Sequence, residues 1–526
     1  MTIYLDYAAT TPVDPRVAAV MTSALTNPAA QANAASATHG LGLGVQERIE
    51  AARAEVAALI GSQSREIVFT SGATEANNLA LLGVARAARR AAGRGHLVSA
   101  RTDHKSVLDP LAQAVRDGFS VTLIDPDASG RVTPAAVRAA LRADTLLVSL
   151  MLANNEIGVT NDIAAVAALC APRGVLLHSD ASQAVGKLPV DVQQLGVDFL
   201  AFTAHKFYGP KGIGALYVRE AARPKISPIL FGGGHERGLR SGTLPTHQVL
   251  GFGAAAALAR AQGPDDAAHA RDLGLRLWHE LETLPGVIFN GDFTQRVPGL
   301  INLSFEGVEG ESLVTGLAEI AVATGSACSS ATREPSYVLR ALGRSTELAQ
   351  SSLRLSLGRF TAASDVDRAA SAIRREVGRL RRLAGETGSA DEYGPAAGGS
   401  PEGTLLTRTL GPLARRYFLA AARVPRFAGS PPAGVRHGRA GRRSEGTCVF
   451  FELEISGEFV KSARFSAYGC PHTLAVVSWL CEVLEGARID SGVPETPADW
   501  ARKFEVPAEK LGRLLIVEDA LRAALS

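Results

Sequence analysis

Phe199-Leu200-Ala201-Phe202-Thr203-Ala204-His205-Lys206-Phe207-Tyr208-Gly209-Pro210-Lys211-Gly212 passes from an apolar run into polar residues within a few positions. A short apolar run bounded by polar residues reads as a buried strand. A lysine just past such a strand can lose its proton through desolvation or a cationic neighbour, and then add to an aldehyde. Read alone, Lys206 is an ordinary surface lysine after a strand. The segments on either side of it change that reading.

Residues 66–70, 96–99, 121–124, 145–151, 175–178 and 214–218 also read as strands. Between them lie helical patterns, including residues 45–60, where Ile49, Ala52, Val56 and Leu59 share a face. Apolar strands alternating with helices make βαβ units and a mainly parallel sheet covered on both faces, so the first two-thirds is an α/β protein. Ligands of such sheets bind at the carboxyl ends of the strands, and polar residues recur there. Gly72-Ala73-Thr74 opens a helix whose first N–H groups suit a phosphate. His104, Asn155, Asp180 and Gln183 each follow a strand. A buried aspartate is costly unless paired. The pyridine nitrogen of pyridoxal phosphate (PLP) is one such partner, and the aldehyde of the same cofactor is what a lysine captures. Singly, each residue is a satisfied polar group at a loop start. Together they favour one cofactor pocket.

Further along, Gly232-Gly233-Gly234-His235-Glu236-Arg237-Gly238-Leu239-Arg240-Ser241-Gly242-Thr243 is a glycine-rich loop that either closes over a phosphate or is a surface turn. Residues 245–281 read as helical and 297–305 as strand. Thr324-Gly325-Ser326-Ala327-Cys328-Ser329-Ser330 sets a thiol in a loop of small residues, which implies access. Arg354, inside Leu353-Arg354-Leu355-Ser356-Leu357, is either a structural salt-bridge partner or a carboxylate clamp.

A chain of 526 residues should hold two or three domains, and 46% hydrophobic residues are ample for their cores. A net charge of +3 gives no global pull towards nucleic acid or membrane. No apolar run is long enough to span a bilayer, and the N-terminus has no secretory pattern. Five cysteines in such a length do not make a disulfide framework, so a cytoplasmic protein with free thiols is expected. Gly and Pro concentrate over residues 385–403, a linker by composition. Beyond it, 449–455 and 459–467 read as a hairpin, with 474–486 and 519–525 helical, an α+β domain. The nine arginines from Arg408 to Arg443, interspersed with Gly and Pro, read as a solvated loop with no direct nucleic-acid binding.

Residues 1–384 resemble the cysteine desulfurases of the IscS/NifS type, fold-type-I PLP enzymes. The matching stretches are Tyr4-Leu5-Asp6-Tyr7-Ala8-Ala9-Thr10-Thr11, Thr70-Ser71-Gly72-Ala73-Thr74-Glu75 and Asn154-Asn155-Glu156-Ile157-Gly158, with residues 203–212, Arg240-Ser241-Gly242-Thr243 and Gly325-Ser326-Ala327-Cys328. The resemblance implies a PLP-dependent transferase fold, with an N-terminal segment and large PLP-binding domain over 1–254 and a smaller α+β subdomain carrying the catalytic cysteine over 255–384. It implies that Lys206 carries the cofactor covalently and then moves protons, that Asp180 keeps the ring nitrogen protonated, and that His104 stacks on the ring and acts with Lys206 and Cys328 as a catalytic residue in proton transfer. Gln183 and Asn155 would bond the ring hydroxyl side. Ala73, Thr74, Thr203 and His205 would hold the phosphate, joined by Thr243 from the other subunit of a homodimer. Arg354, with Asn33 and Asn155, would bind the carboxylate of L-cysteine, and Cys328 would take its sulfur as a persulfide.

Residues 404–526 resemble the IscU/NifU-type iron–sulfur scaffold, best at Phe465-Ser466-Ala467-Tyr468-Gly469-Cys470 and over 517–524, and imply an IscU/SufE-like α+β domain. Of the scaffold ligands, Cys470 and Cys448 stand at or beside two positions, while Gly512-Arg513 replaces the His-Cys pair. A transient iron–sulfur cluster, also involving Cys328, or zinc is the metal alternative to sulfur acceptance on an exposed Cys470. The expectation is thus a desulfurase serving cluster assembly, with scaffold or other sulfur-acceptor proteins as partners. The rivals are another fold-type-I enzyme, such as a selenocysteine lyase or transaminase, and a protein acting chiefly as scaffold or docking module.

Overall fold

In the computed structural model, residues 2–36, 38–90, 95–323, 334–385, 410–422 and 433–526 are described. The expected linker over 385–403 lies, apart from Gly385, outside them.

After a short β1 (Ile3–Tyr4), the central sheet contains β2 (Ile67–Thr70), β3 (His96–Ala100), β4 (Ser120–Ile124), β5 (Thr145–Ser149), β6 (Leu176–Asp180), β7 (Phe199–Thr203) and β8 (Gly214–Val218). Their order is β2-β8-β7-β6-β5-β3-β4, parallel from β7 to β4, with β8 antiparallel to both its neighbours. β7 shows why an apolar run folds this way. Phe199 and Ala201 enter a core with Leu79 and Leu111, whereas Leu200 and Phe202 enter another with Val45, Ile49 and Phe252. Side chains alternate between faces, so a strand covered on both must be apolar throughout. The helix Ala73–Arg90 covers the first face, and Thr246–Leu281 with Gly40–Leu59 covers the second. The parallel strands end together at Ala100, Ser149, Asp180 and Thr203, on the edge that carries the polar residues.

A second sheet joins β9 (Val287–Phe289), β10 (Leu300–Phe305) and, beyond the short β11 (Ile320–Ala321), β12 (Ser352–Ser356), in the antiparallel order β12-β10-β9. β1 pairs in parallel with β11, so the N-terminus is stitched into this smaller unit.

The C-terminal part is an antiparallel sheet of β13 (Val435–Arg442), β14 (Thr447–Ser456) and β15 (Phe459–Tyr468), backed by the helices Pro471–Leu484 and Leu511–Leu525. The expected hairpin and helices are present, with the last helix longer than the sequence pattern suggested. β13 corrects the reading of its arginines as loop. It is an edge strand whose Arg436, Arg439 and Arg442 are exposed, which suits a sheet edge facing water. Gly438 is what lets it lie against the last helix, since a Cβ there would stand 2.1 Å from the Ala520 carbonyl oxygen.

The C-terminal and smaller units share one hydrophobic core, running from Leu303 and Phe305 through Ile373 and Leu380 to Phe418, Phe451 and Leu474. The helix Ala363–Leu383 lies along β15. Polar contacts add to the seam: Ser312 Oγ donates to the Gly469 carbonyl at 2.8 Å, and Lys510 pairs with Glu311.

Candidate active site

Lys206 lies in the turn directly after β7, where its Nζ donates to the carbonyls of Ala8 (2.5 Å) and Ala9 (2.9 Å). The N-terminal segment thus forms one wall of the site, a role its Tyr4–Thr11 stretch did not reveal.

Asp180 ends β6 and is 5% exposed. Asn77 Nδ2 donates to its Oδ2 at 2.7 Å, and the Ser182 amide and hydroxyl donate to Oδ1 at 2.9 and 2.6 Å. Three donors fix the direction of the carboxylate. Asn77 also donates to Ser106 Oγ at 2.8 Å, which contacts His104 Nδ1 at 2.8 Å. His104 caps the helix Lys105–Arg116, and its Nδ1 accepts the Ser106 amide at 3.1 Å. A ring nitrogen that accepts a backbone N–H is unprotonated, so the neutral ring carries its proton on Nε2. Burial, above all, pushes the imidazole below its ordinary pKa. His104, Ser106, Asn77 and Asp180 therefore form one network. Asn77 went unnoticed in sequence because an asparagine one turn into a helix has no distinguishing pattern.

Gln183 Nε2 donates to the Ala8 carbonyl at 2.8 Å, and its Oε1 accepts from Lys187 at 2.8 Å. Asn155 is 8% exposed with its Oδ1 unpartnered. Thr203 Oγ1 donates to the Ile213 carbonyl at 2.8 Å, and His205 Nδ1 contacts Thr10 Oγ1 at 3.2 Å. Burial and the cations Lys206, Lys211 and Lys187 lower the His205 pKa to about 4. Ala73 and Thr74 begin the helix after β2, with Thr74 exposed. Gly214 makes room for that turn: a Cβ there would meet Gly72 at 2.7 Å.

Arg354, in β12, donates to the Asn155 carbonyl at 3.0 Å and to Asp6 Oδ1 at 2.7 Å, and its Nε is unpartnered. The structural salt bridge is thus present, and it brings Arg354 beside Asn155. Asn33 is exposed and accepts the Ala35 amide, and Thr243 is exposed on its loop. That loop is anchored: Glu236 accepts from Arg53 and from the Phe69 amide, and Arg240 pairs with Glu75. Cys328 lies outside the described residues.

The residues fit PLP. An anchored aspartate, a buried asparagine oxygen without a partner, a glycine-lined helix start and a lysine amine on carbonyl oxygens meet at one sheet edge. Arg354, Asn155, Asp180, Gln183, His104 and His205 are brought to that edge, and among the described residues no hydrogen bond joins Asn33 or Thr243 to them.

Residues 3–369 match the aminotransferase class-V family. The chain belongs to that family. Residues 421–526 match the NifU-like N terminal domain. Among its relatives are proteins named cysteine desulfurase IscS, from Aeromonas salmonicida (52% identical over 72% of this chain and 94% of the relative) and Klebsiella pneumoniae (51%, with the same coverage). Similar solved structures include a NifS-like protein (TM-score 0.66, 33% identity, 71% of this chain and 98% of that one) and SspA in complex with cysteine (0.61, 34%, 69% and 100%).

The NifU-like part overturns one expectation. Cys470 is 0% exposed rather than presented on a loop: it caps the helix Pro471–Leu484 and contacts Thr473 Oγ1 at 3.4 Å. Its chemistry faces the smaller unit. Burial and the neighbouring Cys470 and Glu311 raise the Glu309 pKa to about 7, and Arg513 interacts with both Cys470 and Glu309. Packing against the desulfurase-like half, invisible along the chain, is what covers the thiol. Cys448 is partly buried in β14, opposite Tyr468. Among the described residues, no group of three His, Cys, Asp or Glu could hold a metal.

Proposed function

We propose that this chain converts L-cysteine to L-alanine and supplies the sulfur for iron–sulfur cluster assembly. The observation that carries the reading is the Lys206 amine held on the Ala8 and Ala9 carbonyls, with the three-donor carboxylate of Asp180 on the same sheet edge. Membership of a family with cysteine desulfurases at 52% identity supports it. PLP supplies an electron sink for the substrate carbon when bound. Asp180 holds the ring nitrogen's proton, His104 covers the ring, and Gln183 and Asn155 take its hydroxyl side. Ala73, Thr74, Thr203, His205 and a homodimer partner's copy of Thr243 hold the phosphate. Arg354, with Asn155 and Asn33, orients the substrate carboxylate, and Lys206 moves the proton at the substrate's Cα. Cys328 attacks the substrate sulfur: a sulfur–sulfur bond forms, the carbon–sulfur bond breaks, and alanine leaves with Cys328 as the persulfide.

The proposed units are 1–254, 255–384, a linker over 385–403 and 404–526, in a cytoplasmic homodimer. The NifU-like unit serves as an in-chain sulfur acceptor through Cys470 or as a scaffold that has lost ligands. Sulfur reaches Cys470 only when its cover on Glu309 and Ser312 opens. A zinc or cluster at Cys448 and Cys470 is the alternative use of these thiols.

Borohydride treatment of the yellow protein should leave the cofactor's mass on Lys206, and Lys206→Ala should abolish alanine formation. After incubation with L-cysteine, mass spectrometry should find the extra sulfur on Cys328 first. A Lys206→Ala protein of normal activity would end this reading.

A further inference from the structure

The site holds a second lysine to which neither the sequence reading nor the proposed reaction gives a task. Lys187 lies four residues beyond Gln183, and its Nζ donates to Gln183 Oε1 at 2.8 Å. The other end of that amide, Nε2, donates to the Ala8 carbonyl at 2.8 Å. The same carbonyl oxygen accepts from Lys206 Nζ at 2.5 Å. A continuous chain of hydrogen bonds therefore joins the two amines, with Gln183 and one backbone carbonyl between them.

A glutamine amide can sit in either of two orientations that differ only in exchange of oxygen and nitrogen. Here both ends discriminate. A carbonyl oxygen can only accept, so it demands the NH₂ end, and a lysine amine on the far side demands the oxygen end. Without Lys187, only the Ala8 contact would hold the amide, and Oε1 would need another donor or be buried unsatisfied. The chain matters for Lys206 because Ala8 holds the catalytic amine with one lone pair and Gln183 with another.

We infer that Lys187 is a positioning residue for the cofactor-bearing lysine: it locks the Gln183 amide with its NH₂ end on Ala8, and its positive charge opposes protonation at Lys206. The electrostatics are consistent. Burial, followed by repulsion from Lys206 and Arg354, brings the Lys187 pKa down to about 7, and His205 feels Lys187 in turn. The two charged groups that bear on the Lys187 amine, Lys206 and Arg354, are both cationic, and Arg354 is itself paired with Asp6. The inference rests on the PLP reading.

The test is a pH titration of the visible absorbance band of PLP-loaded protein, read separately from turnover. Below about pH 7, where Lys187 carries its charge, it disfavours the protonated form, so losing it raises a midpoint in that range. Lys187→Met should shift the midpoint upward by on the order of 1 pH unit. Lys187→Arg, which keeps the donor and the charge, should return it to within about 0.3 units of the parent. Gln183→Leu with Lys187 intact should shift the midpoint less than Lys187→Met, because the charge remains. A Lys187→Met protein that binds PLP fully and titrates like the parent overturns the inference, even if it melts at a lower temperature. Should Lys187→Met fail to fold, a Lys187→Arg midpoint displaced as far as that of Gln183→Leu overturns it equally. Parent protein without a visible band refutes this inference and the PLP reading together, whereas a normal band with an unshifted variant refutes only the role of Lys187.

Discussion

Glu156 shows how much a single side chain can depend on its surroundings. It follows Asn155 in the polar stretch after β5, and only 3% of it is exposed. Its carboxyl takes a hydrogen bond from Ser336, and burial, only partly offset by that bond and Arg354, raises its pKa to about 7. In the unfolded chain it would titrate near the ordinary glutamate value, about 4.3. Between these two values the native state holds a proton that the unfolded state has released. Stability from this group is therefore present below about pH 4.3 and is lost as pH rises towards 7. Glu156→Gln should flatten that slope, narrowing the loss between pH 5 and pH 8 by up to about 3 kcal/mol. Urea unfolding at the two pH values measures it. Asp103, raised to about 6 by burial, contributes a slope of the same sign, so the comparison is variant against parent. Equal slopes in the two proteins would show that Glu156 is ionised in the fold.

At the scale of elements, β7 and β13 make opposite cases. β7 is legible because each of its residues enters a core on one face or the other, and a fully apolar run has few other uses. β13, Val-Arg-His-Gly-Arg-Ala-Gly-Arg, carries no apolar pattern, and its strand exists because β14 offers eight register partners and a helix lies behind it. Gly438 is the point of closest approach. Gly438→Ala must push β13 and the helix Leu511–Leu525 apart, since the added carbon would overlap the Ala520 carbonyl oxygen at 2.1 Å. A loss of roughly 1–3 kcal/mol is expected from such overpacking. Thermal unfolding should show it, with the absorbance of the bound cofactor unaffected at temperatures below the transition. An unchanged melting temperature would mean that β13 is not seated on the helix.

For the whole molecule, the seam between the NifU-like and aminotransferase-like parts decides what the appended cysteine can do. The shared core and the pairs Lys510–Glu311 and Ser312–Gly469 hold the Cys470 end of the helix Pro471–Leu484 against the segment Gly310–Gly316. Lys510 is 2% exposed, and removing its charge leaves Glu311 on the partly exposed side of the seam. Lys510→Met should loosen this contact, and Cys470 should then react with a maleimide at least about tenfold faster, a change equivalent to about 1.4 kcal/mol in opening. Peptide mapping after timed labelling separates Cys470 from the other thiols. Unaltered labelling of Cys470 in the variant would show that the apolar core alone keeps the seam shut.

The alternation of apolar runs with helical patterns was sufficient for the α/β class, because a buried parallel strand must be apolar on both faces wherever it sits. Lys206, Asp180 and His104 stood out as candidates for a related reason: buried polar residues at strand ends are costly unless a ligand or a partner meets them. What only the tertiary structure decided is which partners they meet. Ala8 and Ala9 beside Lys206, Asn77 beside Asp180 and Lys187 behind Gln183 are brought in by packing between segments, or by an amide's orientation, that no local pattern encodes. The burial of Cys470 is of the same kind. The sequence around it specifies a strand end and a helix cap, whereas its exposure depends on a surface more than 150 residues away, around Glu309 and Ser312, that closes over it.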